Sequence, residues 1–212
     1  MKSFTTLHEL KEDPVMWIPL DKIFLFLPFD IIRCKIWKSL RSKNFLHLKH
    51  FILNGDWDLY SLPIEPLLKR YSVPYASMWQ IFKDGVPYKK CDEYIQKKHE
   101  IETRGLSSRN LRNINELDLY FEALLKLKSD IENVGYKTSI NLRKLKHDEI
   151  GVFIDRNGRF IKPADKFGGT HRFAVARIIG LSHIPVRIAG VHPEFASVLH
   201  KPLMDFKKFL HP

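Results

Sequence analysis

The sequence predicts an α+β fold in which a small mixed sheet is combined with an inserted or packed helical region. Three observations lead there. Short apolar and aromatic runs, Trp17 to Phe29 and Glu149 to Lys162, have the density of strands. Within the second run, Asn157-Gly158 marks a tight hairpin turn. Between them, Leu111, Ile114, Leu117, Phe121, Leu124, Leu127 and Ile131 recur three or four residues apart, which lays one apolar face along a helix.

Taken in order, Trp17 to Phe29 is expected to form the first strand, with Pro19 and Pro28 as breakers near its ends. Residues 31–51 alternate Arg33, Lys35, Lys38, Arg41, Lys43 and Lys49 with Ile32, Ile36, Trp37 and Leu40. Such a basic amphipathic segment suits a nucleic-acid or membrane-facing surface, although a solvated helix face is its commoner meaning. Residues 64–102 are expected to be mainly helical, with interruptions around Ser72-Val73-Pro74 and Gly85-Val86-Pro87. Ser107 or Ser108 is suited to cap the next helix, and Gly135 to stop it. After the hairpin, a helix from about His171 to Ile179 ends at Gly180 and a strand returns at Ile184 to Ile188. The expected organisation is 1–30 as the first-strand region, 31–147 as the helical insertion or subdomain, and 148–212 as the rest of the core.

At 212 residues and 44% hydrophobic content the chain can bury a sizeable core, which excludes disorder as its main state. Its formal charge of +11, from 35 Lys+Arg against 24 Asp+Glu, favours anionic partners without choosing among nucleotides, nucleic acids and membranes. Cys34 and Cys91 stand far apart with no paired spacing, so a disulfide framework or zinc site is not indicated and a cytoplasmic setting is expected. The apolar run Ile23 to Phe29 is bracketed by charge and too short to span a bilayer.

Two motifs carry candidate chemistry. Phe167-Gly168-Gly169-Thr170-His171-Arg172-Phe173-Ala174 places two glycines immediately before a helix. A turn of that kind brings backbone close to a ligand, and the helix aims free N–H groups and the positive end of its dipole at it. Phosphate is the matching ligand class. In Asn54-Gly55-Asp56-Trp57-Asp58, two carboxylates flank a tryptophan; in an extended segment Asp56 and Asp58 would share a face, where they could hold a divalent cation or act as acid and base. The same residues also build ordinary turns. His47 with His50, and His192 with Glu194, are weaker candidates for ligation.

The order strand, hairpin, strand, turn, helix, strand, with Phe-Gly-Gly-x-His-Arg-Phe-Ala followed by Ile184-Pro185-Val186, resembles the ParB/sulfiredoxin superfamily over about Glu149 to Val191. A fainter likeness to that family's first strand lies at Trp17 to Ile23. The resemblance implies that Gly168, Gly169, Thr170, His171 and Arg172 bind the phosphates of ATP or another nucleoside triphosphate, with Arg172 as a charge-assisted fork. The match departs from two known chemistries. Thr170 stands where sulfiredoxin has its catalytic cysteine, so a thiol nucleophile is excluded; Gly168 stands where ParB-like free-serine kinases often have an aspartate.

The expected function is therefore an ATP-dependent phosphotransferase acting on a small-molecule or glycan hydroxyl. Mg²⁺ would bridge the phosphates, Asp56 or Asp58 would supply a base or metal ligand, and His171 would be a further catalytic residue. The alternative is a nucleotide-gated DNA-binding or nuclease-like module using Arg33 to Lys49. Helices available as a lid, and the lack of a recognisable DNA-reading motif, favour the enzyme.

Overall fold

A computed structural model describes residues 15–28, 31–32, 53–138, 149–164 and 168–199. The basic segment Arg33 to Lys49, with His47 and Cys34, and also His50 and Phe167, lie outside the described residues. The chain divides into two compact units: a sheet unit of residues 1–67, 138–169 and 181–212, and a helical unit of residues 68–137 and 170–180. The fold is α+β, and among the described residues it has six strands and six α-helices.

The sheet unit contains β1 (Val15–Pro19), β2 (Leu25–Leu27), β3 (Leu62–Pro63), β4 (Ile150–Ile154), β5 (Phe160–Pro163) and β6 (His183–Val191). They form one sheet in the order β1-β6-β4-β5-β2-β3. The β6–β4 and β5–β2 pairs are parallel and the others antiparallel, so the sheet is mixed. The run expected as one strand from Trp17 to Phe29 is, over its described residues, two. Pro19 has no N–H to extend the ladder, so the chain turns through a short 3₁₀ segment, Leu20–Lys22, and Leu20 N–H donates to the Ser182 carbonyl (2.9 Å). The two halves then sit in different places, β1 at one edge and β2 between β5 and β3. Pro185 is accommodated in β6 because pairing with β4 begins one residue later, at Ile150 with Val186.

The core of this unit is the aliphatic and aromatic surface of β4 and its neighbours. Ile150, Val152, Phe153, Ile154, Ile184, Val186 and Ile188 are all fully buried. Such near-continuous apolar runs are what a strand buried on both faces requires. The hairpin turn forms as the sequence predicts, with Gly158 at φ 81°. Asp155 organises it: its carboxylate accepts the N–H groups of Asn157 (2.9 Å) and Arg159 (2.8 Å) and pairs with the Arg159 guanidinium (2.6 Å). Gly190 leaves room for Leu53, whose side chain a Cβ there would strike, and Leu53 N–H donates to the Val191 carbonyl (2.9 Å). That contact fixes the start of the loop carrying Trp57, whose indole N–H donates to the Leu53 carbonyl (2.7 Å) and whose ring meets Phe153 edge-on at 5.4 Å. The last helix of the described chain, α6 (Pro193–Leu199), follows β6.

The chain enters the helical unit along α1 (Ile64–Tyr71) and continues through α2 (Val73–Phe82), α3 (Asp92–Arg104), α4 (Ile114–Val134) and, after the second stretch of sheet, α5 (Thr170–Ile179). The breaks fall where Pro74 and Gly85-Val86-Pro87 place them, and Ser72 caps α2 by accepting from Tyr75 N–H (3.3 Å). The capping residue of α4 is Asn113 rather than Ser107 or Ser108. Asn113 accepts from Glu116 N–H (2.9 Å) while the Glu116 carboxylate accepts from Arg112 N–H (2.8 Å), an arrangement close to a reciprocal capping box. Ser107 Oγ instead accepts the N–H groups of Arg109 and Leu111 in the preceding turn. α4 ends at Gly135, as its sequence indicates. Leu117, Phe121, Leu124 and Ile131 are its buried face, and Phe121 stacks on Tyr88 and meets Tyr94 and Tyr120 edge-on. Among the described residues no helix is long and apolar enough to cross a membrane.

Candidate functional site

The glycine motif forms a turn running straight into α5. Gly168 and Gly169 both have positive φ, 83° and 70°, in the region that L side chains avoid. At Gly169 a second constraint acts, because a Cβ would stand 2.5 Å from the Ile150 Cα. The tightness of this turn against β4 thus explains one of the two glycines without any ligand. The helix begins at Thr170, so Thr170, His171 and Arg172 form its first turn, where backbone N–H groups have no partner one turn back. All three are buried. The Thr170 hydroxyl is enclosed and makes no hydrogen bond among the described residues. An enclosed hydroxyl left in that state costs about 1–3 kcal/mol, so an oxygen-rich ligand that engaged it would recover that cost.

Within the helical unit, His171 belongs to a buried polar cluster. Its Nε2 is 2.7 Å from Glu93 Oε2. The Tyr120 hydroxyl lies 3.3 Å from Glu93 Oε1, to which it donates, and 3.4 Å from His171 Nε2. Lys97 Nζ is 3.5 Å from Glu93 Oε1 and donates to Ser108 Oγ at 3.2 Å. Glu93 is anchored at its backbone, whose N–H donates to Ser77 Oγ (2.8 Å). Glu93 is 2% exposed and Lys97 6%, so this is a paired charge set in the interior of the unit. Burial alone would raise the Glu93 carboxyl, but its bond to His171, and then the charges of His171, Lys97 and Arg109, outweigh it and hold the group below the ordinary carboxylate range. Burial, and then the negative charge of Glu93, push the Tyr120 phenol above its ordinary range.

Asp56 and Asp58 lie in the sheet unit. The segment is not extended: Trp57–Tyr60 is a 3₁₀ turn, so the two carboxylates do not share a face by strand alternation. They converge on a common partner instead. Arg156, in the β4–β5 hairpin, donates from Nε to Asp58 Oδ2 (2.8 Å) and from one terminal nitrogen to both Asp58 Oδ1 and Asp56 Oδ1 (2.9 Å each). Its other terminal nitrogen is 3.6 Å from Glu194 Oε1. His192 completes the surroundings at 3.8 Å from Asp58. Burial opposes ionisation of Asp58, but the Arg156 bonds, followed by the charge of His192, outweigh it and keep the carboxyl below the ordinary range.

This arrangement bears on the cation expected here. Carboxylate oxygens are the right donors for Mg²⁺, yet the guanidinium already supplies the positive charge among them. His192 has both ring nitrogens engaged by backbone, Nδ1 accepting from Glu194 N–H (3.2 Å) and Nε2 directed to the Gly55 carbonyl (3.1 Å). Among the described residues no three His, Cys, Asp or Glu side chains gather as a metal ion would need.

Sequence reasoning thus singled out His171 and the helix start, but it missed Glu93 and Tyr120 and did not place Lys97 beside them. Two signals for them exist. Glu93 and Lys97 are four residues apart on α3, the spacing at which opposite charges meet, and Tyr120 is three residues beyond Leu117 on the apolar face of α4. Lys98, next to Lys97, is turned outward to Glu102. No family model, curated protein or solved structure matches this chain.

Proposed function

We propose that this chain is a nucleotide-binding protein of the ParB/sulfiredoxin-like type, acting as an ATP-dependent phosphotransferase on the hydroxyl of a small molecule or glycan. The observation that supports this most is the start of α5. Two glycines in left-handed conformation lead into a ten-residue helix whose first residue holds an enclosed, unpartnered hydroxyl and whose third is Arg172. Phosphate oxygens are the ligand that N–H groups, a helix dipole, a hydroxyl and a guanidinium would all serve together.

In phosphoryl transfer most of the work is positioning and charge stabilisation, and these residues are of the right types for both. Mg²⁺ is proposed to arrive with the nucleotide, taking phosphate oxygens and water as most of its ligands. Asp56 and Asp58 would join it, or act as a base, only by leaving Arg156.

Thermal-shift measurements with ATP, ADP, CTP and GTP, each with Mg²⁺, test the reading. At a hundredfold excess over Kd the melting temperature should rise by about 5–10 °C for at least one of them. Arg172→Ala, compared with its own ligand-free melting point, should bind about ten- to a hundredfold more weakly through loss of a charge-assisted bond. A melting temperature unmoved by every nucleotide would remove the proposal.

A further inference from the structure

We propose that His171 is a proton-accepting catalytic base for a hydroxyl nucleophile, and that Glu93 and Tyr120 are the positioning residues that hold its ring. The substrate class rests on the phosphotransferase reading above, whereas the ring geometry does not. The position of the ring proton follows from Glu93. An ionised carboxylate can only accept hydrogen bonds, so the 2.7 Å contact with Oε2 requires the proton to be on His171 Nε2. In neutral His171 the lone pair is then on Nδ1, and among the described residues no hydrogen bond reaches that atom. The other carboxylate oxygen takes the Tyr120 hydroxyl and lies near Lys97, and Ser77 fixes the backbone behind it. Glu93 is thereby held on both sides, and the imidazole it grips cannot easily flip.

Such a pair does what a carboxylate does behind a catalytic imidazole: it sets the tautomer and stabilises the cation that forms when the free nitrogen takes a proton. Every charged or titratable neighbour of the ring named by the geometry enters this balance. Among the described residues they are Glu93 and Lys97 from α3, Tyr120 from α4, and Arg172 next along α5, with Arg109 from the segment after α3 acting on Glu93 and Tyr120. A purely packing role for the cluster would need the bonds but would be indifferent to which nitrogen of His171 is left open.

The reaction balances without any further reagent. The acceptor O–H proton passes to His171 Nδ1 while its oxygen forms a bond to the γ-phosphorus of ATP. The bond from that phosphorus to the bridging oxygen breaks, ADP leaves with the electron pair, and the imidazolium later returns its proton to solvent. With water as acceptor the products are ADP, inorganic phosphate and a proton.

The test has two readouts on the full chain. Nitrogen-15 spectra of His171 should show the Nε2–H tautomer in the wild type and a mixed or reversed population in Glu93→Gln. With ATP·Mg²⁺ as probe and water or a panel of polyols and amino alcohols as acceptor, Glu93→Gln should keep its nucleotide Kd within about twofold. Its turnover should fall on the order of 10²- to 10⁴-fold. Tyr120→Phe should lose much less. An Nδ1–H tautomer, turnover in Glu93→Gln equal to the wild type, or ATP that binds but is never turned over with any acceptor would each overturn the assignment. If the wild type binds no nucleotide while the Nε2–H tautomer is present, it is the phosphotransferase reading that has failed, and with it the acceptor assigned to this base.

Discussion

Gly169→Ala is expected to cost about 2–5 kcal/mol of folding stability, made up of about 1–2 for a left-handed alanine and about 1–3 for displacing what the new methyl meets. The obstacle is unusually rigid, because the nearest atom is the Ile150 Cα of β4, at 2.5 Å from the ideal Cβ, and backbone in a buried strand cannot swing aside. Gly180→Ala is the internal control. Gly180 has a similar φ of 79°, yet a Cβ there meets nothing within 4 Å, so only the conformational part, about 1–2 kcal/mol, should be lost. Urea unfolding of both variants against the wild type measures the difference. Equal losses would mean that the turn before α5 is not pressed against β4 as described.

Asp58→Ala is expected to cost about 2–4 kcal/mol, somewhat under the full price of breaking a buried ion pair because Arg156 keeps Asp56 and Glu194 as partners. Asp56→Ala, whose side chain is 71% exposed, should cost no more than about 1 kcal/mol. The same pair predicts the direction of acid sensitivity. Asp58 has a folded-state pKa below its unfolded value, so its contribution to stability is fully present above the ordinary carboxylate pKa of about 3.9 and is lost as pH falls through the folded value. Glu93, shifted in the same direction, adds to the slope. Denaturation series from pH 7 down to pH 3 should therefore show falling stability at the acid end, with a shallower fall in Asp58→Ala.

Much of the fold is legible in local chemistry. Asn157-Gly158 makes its turn, Gly135 and Gly180 end their helices, and the proline breaks around residues 72–74 and 85–87 fall where expected, because each depends only on a few neighbouring residues. One failure occurs where a distant partner decides. Trp17 to Phe29 reads as one strand by density, but Pro19 and the bond from Leu20 to Ser182 divide it between two places in the sheet. The other is local: Asn113 outcompetes Ser107 and Ser108 as a cap because Glu116, three residues on, can answer it.

The candidate site divides in the same way. The start of α5 is visible as glycines before a helix, since that signal is sequential. The partners of His171 come from residues 78 and 51 positions earlier in the chain, and nothing near His171 announces Glu93 or Tyr120. Asp56 and Asp58 show the converse. Their spacing suggests a cation, and a cation is there, but it is the guanidinium of Arg156, about a hundred residues further along.

The central claim is that phosphate oxygens bind at the first turn of α5. Amide spectra of the labelled protein, recorded during titration with ATP·Mg²⁺ and in parallel with inorganic phosphate, test it most directly. The largest shifts should fall on Gly169, Thr170, His171 and Arg172, saturate with one ligand per chain, and vanish or weaken strongly in Arg172→Ala. Saturable shifts centred elsewhere, or no shifts at these four amides at millimolar nucleotide, would contradict it.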